Sequence, residues 1–145
     1  MITFRSFEIE IPRTGSFQIP LNESCKCYVA LASIAIPSIN QWGIEDNDNG
    51  VELFCNQIDS NFNNPKRLMK RILFNRLEKD EHFNSWEAKW FDFQLIDSTD
   101  KFLSFELKRL YNQNIKFNKS VKHRSIFLTL AFKPITEKTL RWNAI

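Results

Sequence analysis

The stretch KCYVALASIAIPSI (residues 26–39) decides the fold, because its eleven residues from Tyr28 to Ser38 contain neither a charge nor an Asn. In a strand, alternate residues would form two apolar faces, one made of Tyr28, Ala30, Ala32, Ile34 and Ile36 and the other of Val29, Leu31, Ser33 and Ala35. The run is too short to cross a bilayer, which needs about 20 apolar residues. Pro37 ends the run, and the neighbouring segments alternate as strands do. The pattern therefore predicts a central strand covered on both sides.

Working outward, most of the chain alternates between apolar and polar residues with a period of two. The alternating segments are FEIEI (7–11), SFQIPL (16–21), VELFCNQI (51–58), WFDFQLID (90–97), KFLSFELKRL (101–110), IKF (115–117) and SIFLTLAF (125–132). The last of these is apolar on both faces and predicts a second central strand. Together with the opening stretch, these segments predict an all-β fold, namely a single β-sandwich of jelly-roll type with about eight strands over residues 1–134. Residues 135–145 are predicted to form a C-terminal tail.

Residues 65–78 fit a helix better than a strand. Leu68, Ile72 and Leu77 have helical spacing, and Asn64 and Pro65 would serve as the N-cap and the first helical residue. Read as a strand, RLMKRILF (67–74) alternates poorly. The residue pattern therefore predicts a short helix here, and at most this one helix in the chain.

Composition excludes several classes of protein. The 145-residue chain has a net charge of +3, which is well below that of a dedicated DNA-binding domain. Its three glycines lie far apart, so no Gly-rich phosphate-binding loop is expected. The N-terminal MITFRSFEIEI (1–11) carries charges where a secretory signal would be apolar. We therefore expect a soluble protein that is made in the cytoplasm, is not secreted and has no membrane partner.

No catalytic, cofactor-binding or metal-binding residues are predicted. A zinc site needs four ligands, but Cys25 and Cys27 are the only closely spaced pair, and Cys55 stands apart. The acidic run before Gly50 resembles a calcium loop, yet Asn56 occupies the position of the bidentate Glu. Paired carboxylates occur only on polar strand faces or in turns, so we expect a protein without enzymatic activity, with reduced thiols and without a cofactor.

Two features leave a binding role open. Basic clusters occur at Lys66, Arg67, Lys70 and Arg71 and at Lys119, Lys122, His123 and Arg124. They allow a weak nucleic-acid contact, although solubilising rims beside strands are the favoured interpretation. Exposed tryptophans near loops, such as Trp42, Trp86 or Trp142, could stack on a sugar, whereas burial in the core is favoured for Trp86 and Trp90.

Several segments in order resemble a known family. They are SFQIPL (16–21), YVALASIAIPSINQW (28–42), VELFCNQIDSNFNNPKRLMKRILF (51–74), FLSFELKRLYNQNIKF (102–117) and SIFLTLAFKP (125–134). In this order the chain resembles the small penton-like minor capsid proteins, with jelly-roll folds, of Polinton/Maverick-like elements and adintovirus-type double-stranded DNA viruses. It departs from their pattern at YNQN (111–114), where the family has a Gly turn, and at LAFKP (130–134). The resemblance also implies a strand, not a helix, at RLMKRILF.

The resemblance implies a viral structural protein without catalytic activity. It implies a subunit located in the virion, which forms a cyclic homo-oligomer and contacts a major capsid protein. The alternative is a β-sandwich binding module that recognises a receptor or glycan, like a fibre head or lectin. The tail carries Leu140, Trp142 and Ile145, which we expect to dock onto a neighbouring subunit or another capsid protein unless they cover the chain's own sheet.

Overall fold

The computed structural model describes residues 1–12, 14–21, 25–37, 50–73, 83–99, 101–114 and 125–135. Nine strands are found in these ranges: β1 (Thr3–Glu10), β2 (Ser16–Pro20), β3 (Cys25–Pro37), β4 (Gly50–Cys55), β5 (Leu68–Leu73), β6 (Phe83–Glu87), β7 (Gln94–Ser98), β8 (Phe102–Arg109) and β9 (Ser125–Pro134). A 3₁₀ turn at Leu110–Asn112 follows β8. The described ranges contain no α-helix. The expected all-β fold is confirmed.

The strands form two antiparallel sheets that pack face to face. Sheet A has the order β1-β9-β3-β6, and β7 also pairs with β3. Because β6 pairs with the last part of β3 and β7 with the first part, the two occupy one edge position that is interrupted at residues 88–93. Sheet B has the order β2-β8-β4-β5. Each sheet therefore has four strand positions, and the predicted sandwich is confirmed.

The strand pairs are nested along the chain. The first strand pairs with the last (β1 with β9), and the second pairs with the last but one (β2 with β8). Next, β3 pairs with the interrupted edge formed by β6 and β7. In the middle of the chain, β4 pairs with β5. The chain therefore pairs like one long hairpin that is divided between the two sheets.

The opening stretch forms β3, which lies between β9 and the interrupted edge, so the predicted central position is confirmed. The expected cover on both sides is wrong at Ser33 and Ala35, which are only half-buried on the outer face. The predicted faces of β3 were wrong, because they assumed strict alternation. The register between β3 and β9 shifts between Leu31 and Ser33, which makes Ala32 an extra residue in a β-bulge. Leu31 and Ile34 therefore both belong to the core. The stretch appears apolar on both faces because its inward face changes from odd to even positions at the bulge.

The predicted helix over residues 65–78 is wrong in the part that the structure describes. Leu68–Leu73 is β5, the edge strand of sheet B. Its alternation is hidden because Met69 is an extra residue in the register with β4, and because Lys70 stands opposite the core residue Leu53. Residues 74–78 lie outside the described ranges, as do the predicted strand at 115–117 and the tail from 136 onward. Strand β6 was not predicted.

The core lies between the two sheets. It is built mainly from alternating aliphatic side chains, and on sheet B the rings of Phe17 and Phe105 stack with their centroids 5.2 Å apart. The turn from β1 to β2 brings the chain from one sheet to the other. Gly15 in this turn has a φ of +78°, and its carbonyl accepts a hydrogen bond from the amide of Leu107 in β8. This glycine therefore fixes the crossing between the two sheets.

Candidate functional site on the outer face of sheet A

The outer face of sheet A carries a shallow groove of about 830 Å³. The strand registers place its outward side chains in two rows that cross β1, β9, β3 and β6 in this order. The first row is Glu8, Phe127, Ala35 and Ser85. The second row is Ser6, Thr129, Ser33 and Glu87. All eight residues line the groove, which we call the sheet A groove.

The polar atoms of these eight side chains are all oxygens. Four are hydroxyl groups and two are carboxylates, and the row residues include no basic side chain. The hydroxyls of Ser6 and Thr129 form a hydrogen bond of 2.8 Å on the floor. Glu8 and Glu87 lie on strands separated by three inter-strand spacings, roughly 14 Å in all. The groove therefore has an acceptor-rich floor with one carboxylate on each side.

Phe127 is the one aromatic residue in the two rows. It lies in the first row between Glu8 and Ala35, and 42% of its surface is exposed. The segment SIFLTLAF (125–132) was predicted to be a second central strand, and this is confirmed because β9 lies between β1 and β3. Part of the Phe127 ring nevertheless meets solvent on the outer face of the sheet.

The neighbouring end of the same face is closed by the chain itself. Ala30 and Ala131 are buried although they alternate with core residues and so point outward. Phe4 is in register with Ala131, and its ring contacts that of Phe91 edge-on at 5.7 Å. Phe91 in turn contacts Phe93 at 5.8 Å. Phe91 therefore packs against Phe4, the cross-strand neighbour of the buried Ala131, at this end of the face.

Aromatic side chains remain exposed on this closed end. Phe4 is 54% exposed and Trp90 is 70% exposed. The expected burial of Trp90 is therefore wrong, because Trp90 lies in the interruption between β6 and β7 and not in a strand that faces the core. Trp86 packs against the core as expected, and the ammonium group of Lys70 lies over its ring. Trp42 and Trp142 lie outside the described residues.

The first basic cluster does not form a single patch. Lys70 pairs with Asp92, whereas its neighbour Arg71 pairs with the buried Glu52 at 2.9 Å. The Nε of Arg67 donates a hydrogen bond to the backbone carbonyl of Ile58. The second cluster, residues 119–124, lies outside the described ranges. Nucleic-acid contact through these clusters stays a prediction, and the intramolecular partners of the first cluster compete with phosphate.

Sheet B offers a smaller groove, of about 420 Å³, on its outer face. Glu52 lines it and is 3% exposed, but its carboxylate is held by the guanidinium group of Arg71. Tyr111 also lines it, at a positive φ of 62°. Because the charges of Glu52 and Arg71 are matched within the chain, sheet A presents the more open polar site.

The thiols are placed as structural residues. Cys27 and Cys55 are both buried, as the strand patterns predicted. Burial raises the pKa of the Cys55 thiol to about 11, so the thiolate is disfavoured at neutral pH. Within the described ranges, no three His, Cys, Asp or Glu side chains come together as a metal site. No helix found in these ranges is long and apolar enough to cross a bilayer.

Neither a protein-family model nor a curated protein matches this chain. The features of this chain that bear on function are therefore its strand order and the two parts of the sheet A face. These parts are the open groove and the adjoining aromatic end.

Proposed function

We propose that this chain is a non-enzymatic structural subunit of a virion, a penton-like minor capsid protein with a jelly-roll fold. The observation that carries the proposal is the nested pairing of strands. With β6 and β7 counted as one interrupted strand, eight positions alternate between the sheets except at the central pair, β4 and β5. Nested antiparallel pairs in two four-stranded sheets are expected of a jelly roll, which is a fold of capsid and lectin domains.

A fold does not specify a function, so the surface must also suit assembly. Phe4 and Trp90 expose large aromatic areas at the closed end of sheet A. Clustered aromatic side chains on a soluble protein are typical of protein interfaces, and tryptophan is enriched among the residues that contribute most to binding. The free energy of association gained by burying one such side chain is about 1.5–3 kcal/mol.

The expected partners are other copies of this chain and a major capsid protein. A contact between different surfaces of neighbouring copies generates a ring when the rotation closes. We therefore assign the aromatic end of sheet A to an interface between subunits in a vertex-like ring. Docking of the C-terminal residues 136–145 onto a neighbour belongs to the same proposal, although these residues lie outside the described ranges.

The test is assembly of the purified chain, measured by light scattering and negative-stain imaging, alone and after co-expression with a major capsid protein from the same genetic element. We expect rings from the unmodified chain and a loss of rings when Phe4 and Trp90 are both replaced by alanine. Phe62→Ala is the matched control, because Phe62 is fully exposed in the turn between β4 and β5. The proposal would be contradicted if the chain stayed monomeric at high concentration and also failed to bind the major capsid protein.

A further inference from the structure

We propose that the sheet A groove is a binding site for an uncharged saccharide. The site goes beyond a role in assembly, and it would exist in the isolated subunit whether or not rings form. It is defined by the two rows of side chains on β1, β9, β3 and β6 and excludes the aromatic end of the face.

The polar lining selects for ligands that donate hydrogen bonds. Carboxylates only accept them, and hydroxyl groups both accept and donate. Because Ser6 and Thr129 bond to each other, one hydroxyl proton of this pair remains available to a ligand. Sugar hydroxyls donate and accept in the same way, so a polyol matches a floor of four hydroxyls between two carboxylates. An acidic sugar would be repelled by the carboxylates of Glu8 and Glu87, because all three groups are negatively charged.

The apolar part of the groove suits the flat side of a sugar ring. Phe127 exposes its ring on the floor, and its cross-strand neighbour Ala35 adds no bulk above the sheet. The chain already packs rings on this face, since Phe91 contacts Phe4 next to the small residue Ala131 at the closed end. The open end repeats small residues at Ala35 and Ser33. We expect a planar group of a ligand to stack on the exposed part of the Phe127 ring.

Size and charge favour a saccharide over a basic peptide or a protein. A volume of about 830 Å³ lies within the range of about 300–1,000 Å³ found for small-molecule sites. The two carboxylates stand on opposite sides of the groove and are separated by hydroxyls, so they do not form one acidic cluster for a Lys or Arg side chain. Phe127 alone supplies exposed aromatic area in the two rows, which is less than the core of a protein interface requires.

The experiment is an NMR titration of the folded full-length chain with uncharged methyl glycosides of glucose, galactose, mannose and N-acetylglucosamine and with their disaccharides, each up to about 10 mM to cover weak affinities. We expect at least one probe to shift amide signals in residues 6–8, 33–35, 85–87 and 127–129, with little dependence on salt. Phe127→Ala and Glu87→Gln should each weaken that binding about tenfold.

Two variants serve as matched controls. Glu10→Gln removes a carboxylate from the same strand and face as Glu8 but outside the groove, and Phe4→Ala removes an exposed ring from the same sheet. Both should bind the probe like the unmodified chain. The proposal is overturned if no uncharged glycoside shifts the groove signals, if Phe127→Ala and Phe4→Ala behave alike, or if only an oligolysine probe binds and salt abolishes its binding. Ring assembly is scored separately by light scattering, so failure of one proposal leaves the other standing.

Discussion

Replacing Ile34 by alanine tests whether the bulge in β3 sets the inward face of the strand that decides the fold. Ile34 is 1% exposed and belongs to the core, and the change removes three buried carbon atoms. At about 0.8 kcal/mol for each carbon, the lost transfer free energy is about 2.4 kcal/mol, and the cavity left behind raises the total to about 3–4 kcal/mol. For a chain of this size, a loss of that order lowers Tm by about 10 °C.

The matched control is the neighbouring residue on the other face. Ala35 points outward after the bulge, so Ala35→Leu should change the free energy of unfolding by less than about 0.5 kcal/mol. Strict alternation continued from Leu31 would instead place Ala35 in the core, where the larger side chain would cost about 1–3 kcal/mol. Urea unfolding followed by tryptophan fluorescence measures both variants. A mild effect of Ile34→Ala together with a severe effect of Ala35→Leu would refute the bulge.

Three further outcomes are expected. Gly15→Ala should lower the free energy of unfolding by about 2 kcal/mol or more in urea titrations, because alanine is strained at a positive φ and its Cβ would lie 2.6 Å from the carbonyl oxygen of Leu107; an unchanged midpoint would contradict this. In a variant whose other cysteines are serines, the Cys55 thiol should resist labelling at pH 8 until the chain unfolds. Folding raises the pKa of this thiol from 9.0 to about 11, so the unfolded chain loses the proton first as the pH rises. The free energy of unfolding, relative to that of Cys55→Ala, should therefore be constant below pH 8 and decrease as the pH rises from 9.0 to about 11. Immediate labelling of the folded chain would refute the burial. Lys70→Met should change stability by less than about 1 kcal/mol, since its pair with Asp92 is partly exposed, yet raise light scattering on heating, because it removes a charge that protects the edge strand β5; equal scattering of both proteins would argue against that role.

The fold class could be predicted from sequence because most strands bury one face and keep strict alternation. β8 is the clearest case, with inward residues such as Leu103 and Leu107 buried and those between them half-buried. Prediction from sequence failed at the edge strands β5 and β6, where the alternation of buried apolar and exposed polar residues is broken. In β5 the extra residue Met69 and the inward Lys70 produce a spacing that also fits a helix. In β6 the buried polar residue Asn84 hides the inward face.

The candidate site could not be predicted from sequence, because each of its strands contributes only short, ordinary segments. A Ser, Thr or Glu at an outward strand position indicates nothing more than solvent, and Ser6 and Thr129 are separated by 123 residues before the register brings their hydroxyls together. The sequence singled out tryptophans as candidates for sugar stacking. It did not single out Phe127, because a Phe in an apolar run is normally buried. The groove is distinguished by a combination of side chains that come from four different strands. The polar atoms of the eight outward side chains are all oxygens, and the partly exposed ring of Phe127 lies among them, whereas Phe4 and Phe91 pack together at the other end of the same face.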